Sequence, residues 1–250
     1  MLRYAIYALT AVFLATLPAH AFDINAMSDS ERAAFRAEIR NYLLQNPEVL
    51  MEAISVLEQR RADQTAEAET KLLSDNSKAI FEDANSYVGG NPKGDVTVVE
   101  FMDYRCGYCR KAFPQMEELL KSDGRIRFIV KEYPILGDAS VLGARYAIAT
   151  RLVAGDAAYK NVHDAMMTLR GDLNDAALKR LSSEFDLDHD KILAKMDSAE
   201  INNIIHANYT LGQKLQIQGT PTFVMGDKFV RGYVDLDQMR QFVQAARSQG

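Results

Sequence analysis

Cysteine is almost absent. The 250-residue chain holds two, Cys106 and Cys109, separated by two residues. A bridge across so short a span removes little entropy from the unfolded chain, so stability is a poor reason for the pair to exist and reactivity a better one. An excess of basic residues is also missing: 29 Lys and Arg against 34 Asp and Glu leave a net charge of −5. That argues against a nucleic-acid binder, which needs a basic stripe to neutralise phosphates. Metal-ligand spacing is missing as well. Half a zinc site at the cysteines would need two further ligands, and the nearest histidine in sequence, His163, belongs to a separate helical stretch. His163, His189 and His206 read as surface or helix-packing residues. No metal or other cofactor is therefore expected beyond the cysteine pair itself. There are no internal repeats and no low-complexity tracts.

Long apolar runs are confined to the amino terminus. Arg3 is followed by the apolar stretch Tyr4 to Leu17, then Pro18, then Ala19-His20-Ala21 in the small-x-small pattern of a signal-peptidase site. The run is about 14 residues, short of the roughly 20 a membrane-spanning helix needs. Residues 1–21 are expected to be a cleaved signal peptide, and the mature protein to act in a bacterial periplasm or an equivalent compartment. Disulfides persist there, which makes the scarcity of cysteine more pointed.

The rest divides in two. In residues 22–86, Ser28 and Asp29 are N-cap candidates for a helix carrying Phe35, Ile39, Tyr42 and Leu43 on one face and ending near Gln45-Asn46. Pro47 suits the first turn of a second helix with Leu50, Ile54 and Leu57 on one stripe. From Glu58 to about Asn76 the chain is rich in Glu, Gln, Arg and Ala, as in an exposed helix or semi-rigid linker. Residues 87–250 read as the main domain. Gly89 to Gly94 is turn punctuation, Val96 to Met102 a buried-type strand, and Cys106 the start of a helix to about Leu120. A strand at Ile126–Val130 precedes a helical stretch, about 138–216, divided near 155, 171 and 186–188. Strands at Thr222–Met225 and Lys228–Gly232 and a helix from Asp235 complete the order β-α-β, helices, β-β-α. That order predicts an α/β fold, a mixed sheet with helices on both faces and a helical insertion.

A cysteine attacks as its thiolate, and a strand-to-helix junction favours one: unpaired amides and the positive end of the helix dipole face the Cys106 sulfur. Cys109, on the first turn, lies within bonding reach as the resolving thiol. Arg105 and Arg110 add positive charge, screened if they face solvent.

Val98 to Cys109 (VVEFMDYRCGYC) resembles the active-site stretch of the DsbA-type thiol–disulfide oxidoreductases of bacterial envelopes. Lys131-Glu132-Tyr133-Pro134-Ile135-Leu136-Gly137 is similar to the segment after their next strand, and Gly219-Thr220-Pro221-Thr222 to their cis-proline loop. The likeness runs from about residue 90 to the end, and the amino-terminal helices resemble the extra segment of the suppressor-of-copper-sensitivity C (ScsC) branch. It implies a thioredoxin-like fold with an inserted helical domain. It also implies that Cys106 and Cys109 are catalytic, that Glu100 is a buried acid relaying a proton to Cys109, and that Pro221 follows a cis bond. Thr220 would then pair its backbone with a substrate strand. Pro114, in the active-site helix, matches the family's structural kink proline. Tyr108, beside the substrate, stands where the strongest oxidants of the family have histidine; a neutral tyrosine offers the thiolate no cation.

The resemblance also implies partners: client proteins with cysteines or disulfides, a membrane thiol reductase (DsbD-like) or an oxidase, and further copies of the chain, with a trimer favoured. Residues 28–60 tilt the expectation to an oligomeric disulfide isomerase kept reduced. A monomeric DsbA-like oxidase, and a copper-binding or chaperone-like periplasmic protein whose two soft thiolates hold Cu(I), stay open.

Overall fold

A computed structural model of the chain describes residues 24–249; the expected signal peptide, residues 1–21, lies outside them. The described residues fall into two units, one ending at Arg61 and one starting at Ala62. In the first, a 3-10 turn at Ile24–Ala26 precedes helix α1, Asp29–Gln45. Ser28 caps α1 through its hydroxyl, and the Glu31 carboxylate accepts from the Ser28 amide at 2.8 Å. This reciprocal box satisfies two amides that the first turn leaves unpaired. Asn46 ends the helix, its N–H bonding back to the Tyr42 carbonyl, and Pro47 precedes α2, Glu48–Asp75. No residue of α1 is buried, and Ile39, Tyr42, Leu50, Ile54 and Leu57 are 45–55% exposed.

The polar stretch after Glu58 is helical through Asp75. Its last turns, with α3 at Ser77–Phe81, belong to the second unit, because Leu73 and Ile80 are buried there. The second unit therefore takes in residues that the sequence reading counted with the preceding segment.

The second unit is built on a five-stranded mixed sheet of order β1-β3-β2-β4-β5. The strands are β1 Tyr87–Gly90, β2 Val96–Met102, β3 Ile126–Glu132, β4 Thr222–Met225 and β5 Lys228–Arg231. The central pair β2 and β3 is parallel and the other pairings are antiparallel. Near-continuous apolar runs suit strands covered on both faces. Strand β1 was not expected: Gly89-Gly90, read as a turn, closes an edge strand against β3. Gly90 has φ +63°, and a side chain there would run into the Ile126 carbonyl, so only glycine permits this approach.

Helix α4, Gly107–Asp123, joins β2 to β3 and buries Cys109, Ala112, Met116 and Leu119. Spacings of three, four and three put these on one face. It contains Pro114 and ends on Gly124 in the left-handed region. Five helices lie between β3 and β4: α5 Asp138–Ala154, α6 Asp156–Thr168, α7 Asp175–Glu184, α8 His189–Met196 and α9 Ala199–Lys214. They break where expected and once more at Ser198, which caps α9 as Asn174 and Asp188 cap α7 and α8. Helix α10, Leu236–Gln249, ends the described residues.

The sheet separates two cores. Val98, Met102, Phe128 and Val130 pack with Cys109, Met116 and the inserted helices. Val99, Phe101, Ile129 and Val224 pack with Leu73, Ile80, Leu211 and Leu215 on the other side. Lys131 is buried, its Nζ 2.7 Å from Asp83 Oδ2 and 2.9 Å from the Ala79 carbonyl, and so ties the strand to α3 and the residues after it. No described helix is long and apolar enough to cross a membrane.

Candidate active site

The β2–α4 junction positions the two thiols. Strand β2 ends at Met102, and Asp103 then organises the loop. Its Oδ2 accepts from the amides of Ile135 (2.8 Å) and Leu136 (3.1 Å), and its Oδ1 from the amide of Arg105 (2.7 Å). The Cys106 amide closes the turn onto the Asp103 carbonyl at 3.1 Å. Cys106 is thereby the N-cap of α4, with its Sγ accepting from the Cys109 amide at 3.5 Å. Cys106 keeps a 7% exposed edge while Cys109 has none, so only the first sulfur can meet a partner. Both thiols are free.

The Cys106 thiol is held at about 5. A hydrogen bond from the Cys109 thiol contributes most; Thr220 and the amides of Cys109 and Tyr108 add to it, against the cost of partial burial. Cys109 moves the other way, raised by burial and by its bond to Cys106. The pair is thus split into one thiolate and one thiol near neutral pH.

Thr220 and Pro221 face the same sulfur. The peptide between them is cis, and Cys106 Sγ lies 3.0 Å from the Thr220 carbonyl oxygen. Tyr108 is exposed at the rim, 6.5 Å from the Tyr233 ring between centroids. Arg105 is exposed and 3.7 Å from Asp172, whereas Arg110 donates to the Met167 carbonyl at 3.0 Å and to the Leu169 carbonyl. Arg110 thus ties α4 to the end of α6. Glu100 is buried on β2, and its carboxyl is raised to about 8 by burial first, then by the Cys106 charge and by Glu132.

Sequence reasoning passed over a second acid. Glu132 is buried at the end of β3, raised to about 8 by burial, and accepts from Tyr104 (2.8 Å) and Tyr159 (2.6 Å). His163 packs inside this cluster, stacked on Tyr159 and 3.0 Å from the Tyr104 hydroxyl. The available signal was the inward side of β3, on which Phe128, Val130 and Glu132 alternate. His189 is half-buried beside Ser182, and His206 is exposed.

Residues 82–245 match the family model described as Thioredoxin. The chain belongs to the thioredoxin family. Residues 31–64 also match the model of the copper resistance protein ScsC N-terminal domain. A thioredoxin-like oxidoreductase from Silicibacter pomeroyi is 38% identical, covers 68% of this chain and 97% of its own, and has a TM-score of 0.65. ScsC from Proteus mirabilis, in a transitional conformation, is 26% identical, covers 90% of this chain and all of its own (100%), and also has a TM-score of 0.65. Disulfide bond formation protein D of Bacillus subtilis is 24% identical over 188 residues, 65% of this chain and 82% of that protein. The chain also matches a Na(+)/H(+) antiporter NhaA of Salinispora tropica at 27% identity, spanning 24% of that protein's length and 64% of its own. Fold and amino-terminal segment together make this a DsbA/ScsC-type member of the thioredoxin family.

Proposed function

We propose that the protein is a periplasmic thiol–disulfide oxidoreductase acting on protein disulfides, an oligomeric isomerase kept reduced. The observation that carries the reading is the split of one dithiol into a nearly surface thiolate, Cys106, and a buried thiol, Cys109. The Cys106 thiolate attacks one sulfur of a client disulfide. A mixed disulfide forms, the client S–S bond breaks, and the leaving client sulfur departs as a thiolate. That thiolate can attack another client disulfide, and the client thiolate freed in turn attacks the mixed disulfide and returns Cys106 as a thiolate, which is isomerisation. Alternatively Cys109 loses its proton, to Glu100 where that carboxyl is ionised and otherwise to solvent, and attacks the Cys106 sulfur of the mixed disulfide, releasing the client thiolate and leaving the Cys106–Cys109 disulfide. A membrane thiol reductase of DsbD type would reset the pair. Thr220, Pro221 and Tyr108 form the substrate-side wall, and no cofactor takes part.

Two observations favour isomerisation by an assembled protein: the exposed apolar side chains of α1 and α2, and the similarity of residues 31–64 to the ScsC N-terminal domain. The apolar leader supports export. One observation favours a DsbA-like oxidase instead: a thiolate held at about 5 stabilises the reduced state and makes the disulfide a better oxidant. Reactivation of a scrambled disulfide protein tests the reading. Cys106→Ser should lose it by about 10³-fold or more, and Cys109→Ser should accumulate mixed disulfides. Unchanged reactivation by Cys106→Ser would overturn the enzymatic reading. Thiol trapping in cells separates the two directions, with the pair mostly reduced for an isomerase and mostly oxidised for an oxidase.

A further inference from the structure

Glu100 and Glu132 sit on neighbouring parallel strands, with Glu100 in register with Val130 and Glu132 with Met102. Val98, Met102, Phe128 and Val130 from the same alternating positions line the core that holds Cys109, so both carboxyls face that core. Each keeps one buried oxygen without a hydrogen-bond partner in the protein, Glu100 Oε1 and Glu132 Oε2. Burying a carboxylate without full hydrogen bonding is costly, and two such groups on one face resist being ionised together.

The Glu132 cluster is tied to the dithiol by the chain itself. Tyr104 lies two residues before Cys106 and packs under α5, where a side chain at Gly143 would meet Leu173 at 2.6 Å and the Tyr104 ring at 3.0 Å. Its single hydroxyl proton goes to Glu132 Oε1, so His163 Nδ1 must be the donor in the 3.0 Å contact with Tyr104. Burial holds His163 neutral, far below its ordinary value at about 3, so its ring carries a single N–H. The groups facing Glu132 are Tyr104 and Asp103 from the loop, Tyr159 from α6 and Glu100 from β2. Lys160 of α6 acts on His163, and Glu117 of α4 on Glu100. From α9, Asn208 donates to the Glu132 backbone carbonyl.

We propose that Glu132 is a positioning residue for the dithiol, a second buried carboxyl, tethered to the active-site loop by Tyr104, that sets through Glu100 the pH at which the Cys106–Cys109 pair exchanges protons. The proposal rests on the oxidoreductase reading and deepens it. Two glutathione thiols supply two electrons and two protons when they reduce the Cys106–Cys109 disulfide and become glutathione disulfide. One proton goes to Cys109 and Cys106 stays a thiolate. Where Glu100 is ionised beforehand it takes the second proton, and where it is already protonated that proton goes to solvent. The proton count of the equilibrium therefore changes at the pH where Glu100 titrates, and a charge on Glu132 raises that pH.

The test is the pH profile of the dithiol–disulfide equilibrium with glutathione in the full-chain protein, with ¹³C-carboxyl NMR titration of the glutamates. Glu132→Gln should move the upper inflection down by about one pH unit. Tyr104→Phe removes one donor from the Glu132 carboxylate, leaves that acid more often neutral, and should move the inflection the same way by less. Glu100→Gln should abolish the inflection, and adding Glu132→Gln to it should do nothing more. An unmoved inflection in Glu132→Gln, with only thermal stability lowered, would overturn the proposal. Failure to reactivate scrambled proteins would instead count against the isomerase reading, since equilibration with glutathione needs no protein client.

Discussion

The two units solve the same problem, where to put apolar side chains, in opposite ways. From Ala62 onward the chain buries aromatic and aliphatic residues on both faces of its sheet, and even its buried Lys131 has a carboxylate and a carbonyl to accept its hydrogen bonds. Up to Arg61, Ile39, Tyr42, Leu50, Ile54 and Leu57 stand exposed on α1, capped by Ser28 and Asn46, and on the first turns of α2. A helix that short of core contacts is marginal alone, because most helical stability in proteins comes from packing an amphipathic face. The difference teaches that the second unit covers its apolar side chains within one chain while the first leaves its own exposed, and it is there that the proposed assembly would seat a second copy.

The sharpest way to break the comparison is to charge that surface. Ile39→Asp with Ile54→Asp should convert the assembled protein to monomers in sedimentation at micromolar concentration. Reactivation of scrambled substrates should fall about tenfold or more as multivalent engagement is lost. Reduction of a simple disulfide peptide should stay within about twofold, since the dithiol lies elsewhere in the sequence. A wild-type protein that is already monomeric would remove the basis for the isomerase reading while leaving the thiol chemistry intact.

The same contrast explains what the sequence could reveal. Capping residues, the apolar β2 and β3, and the C-x-x-C at a strand-to-helix junction are local patterns, and each lies within a residue or two of its expected place. Strand β1 was hidden because Gly89-Gly90 carries no side-chain pattern and becomes a strand only by pairing with β3, nearly 40 residues on. Burial of Glu100 could not be decided by alternation alone, because β2 is covered on both faces. The Glu132, Tyr104, Tyr159 and His163 cluster was illegible for a different reason. Its hydrogen bonds join residues 27, 28 and 59 positions apart, and no local period encodes such a network.

Within the compact unit, Lys131 is the place to look for the next largest effect. Lys131→Ala removes a buried partner from Asp83, which keeps bonds from Ser86 and the Asn85 amide and is partly exposed, so the protein should lose roughly 1–3 kcal/mol in chemical denaturation. Asp83 is held below its ordinary value because the hydrogen bonds from Lys131 and Ser86 outweigh its burial. A carboxyl lowered in the folded state stabilises it above the unfolded pKa, near 4, and that contribution is lost as pH falls through the lowered value. Wild type should therefore lose more stability than Lys131→Ala between pH 5 and about 2. Equal acid slopes would mean the pair contributes nothing specific. The exchange rate should not change, because Lys131 faces the core opposite the dithiol.

The smallest effect belongs to Tyr108, the exposed side chain that the compact unit places between its two cysteines. Its hydroxyl gives the Cys106 thiolate no counter-charge, so the low thiol value here rests on Cys109, Thr220 and the amides of the first turn. Tyr108→His would add a cation below its own titration point. At 63% exposure that charge is heavily screened, and the thiol should fall by no more than about half a unit, read as thiolate absorbance against pH. The sign for stability follows. A thiol lowered in the folded, reduced protein stabilises that form above the unfolded thiol value of about 8.5, and the gain is lost as pH falls through about 5. The variant should extend that window slightly downward and, below about pH 6 where the imidazole is charged, shift the glutathione equilibrium by up to about threefold toward the reduced dithiol. If the thiolate titration moves and the equilibrium does not, the poise of the pair is set beneath it, by Glu100 and Glu132, and the residue between the cysteines serves the substrate alone.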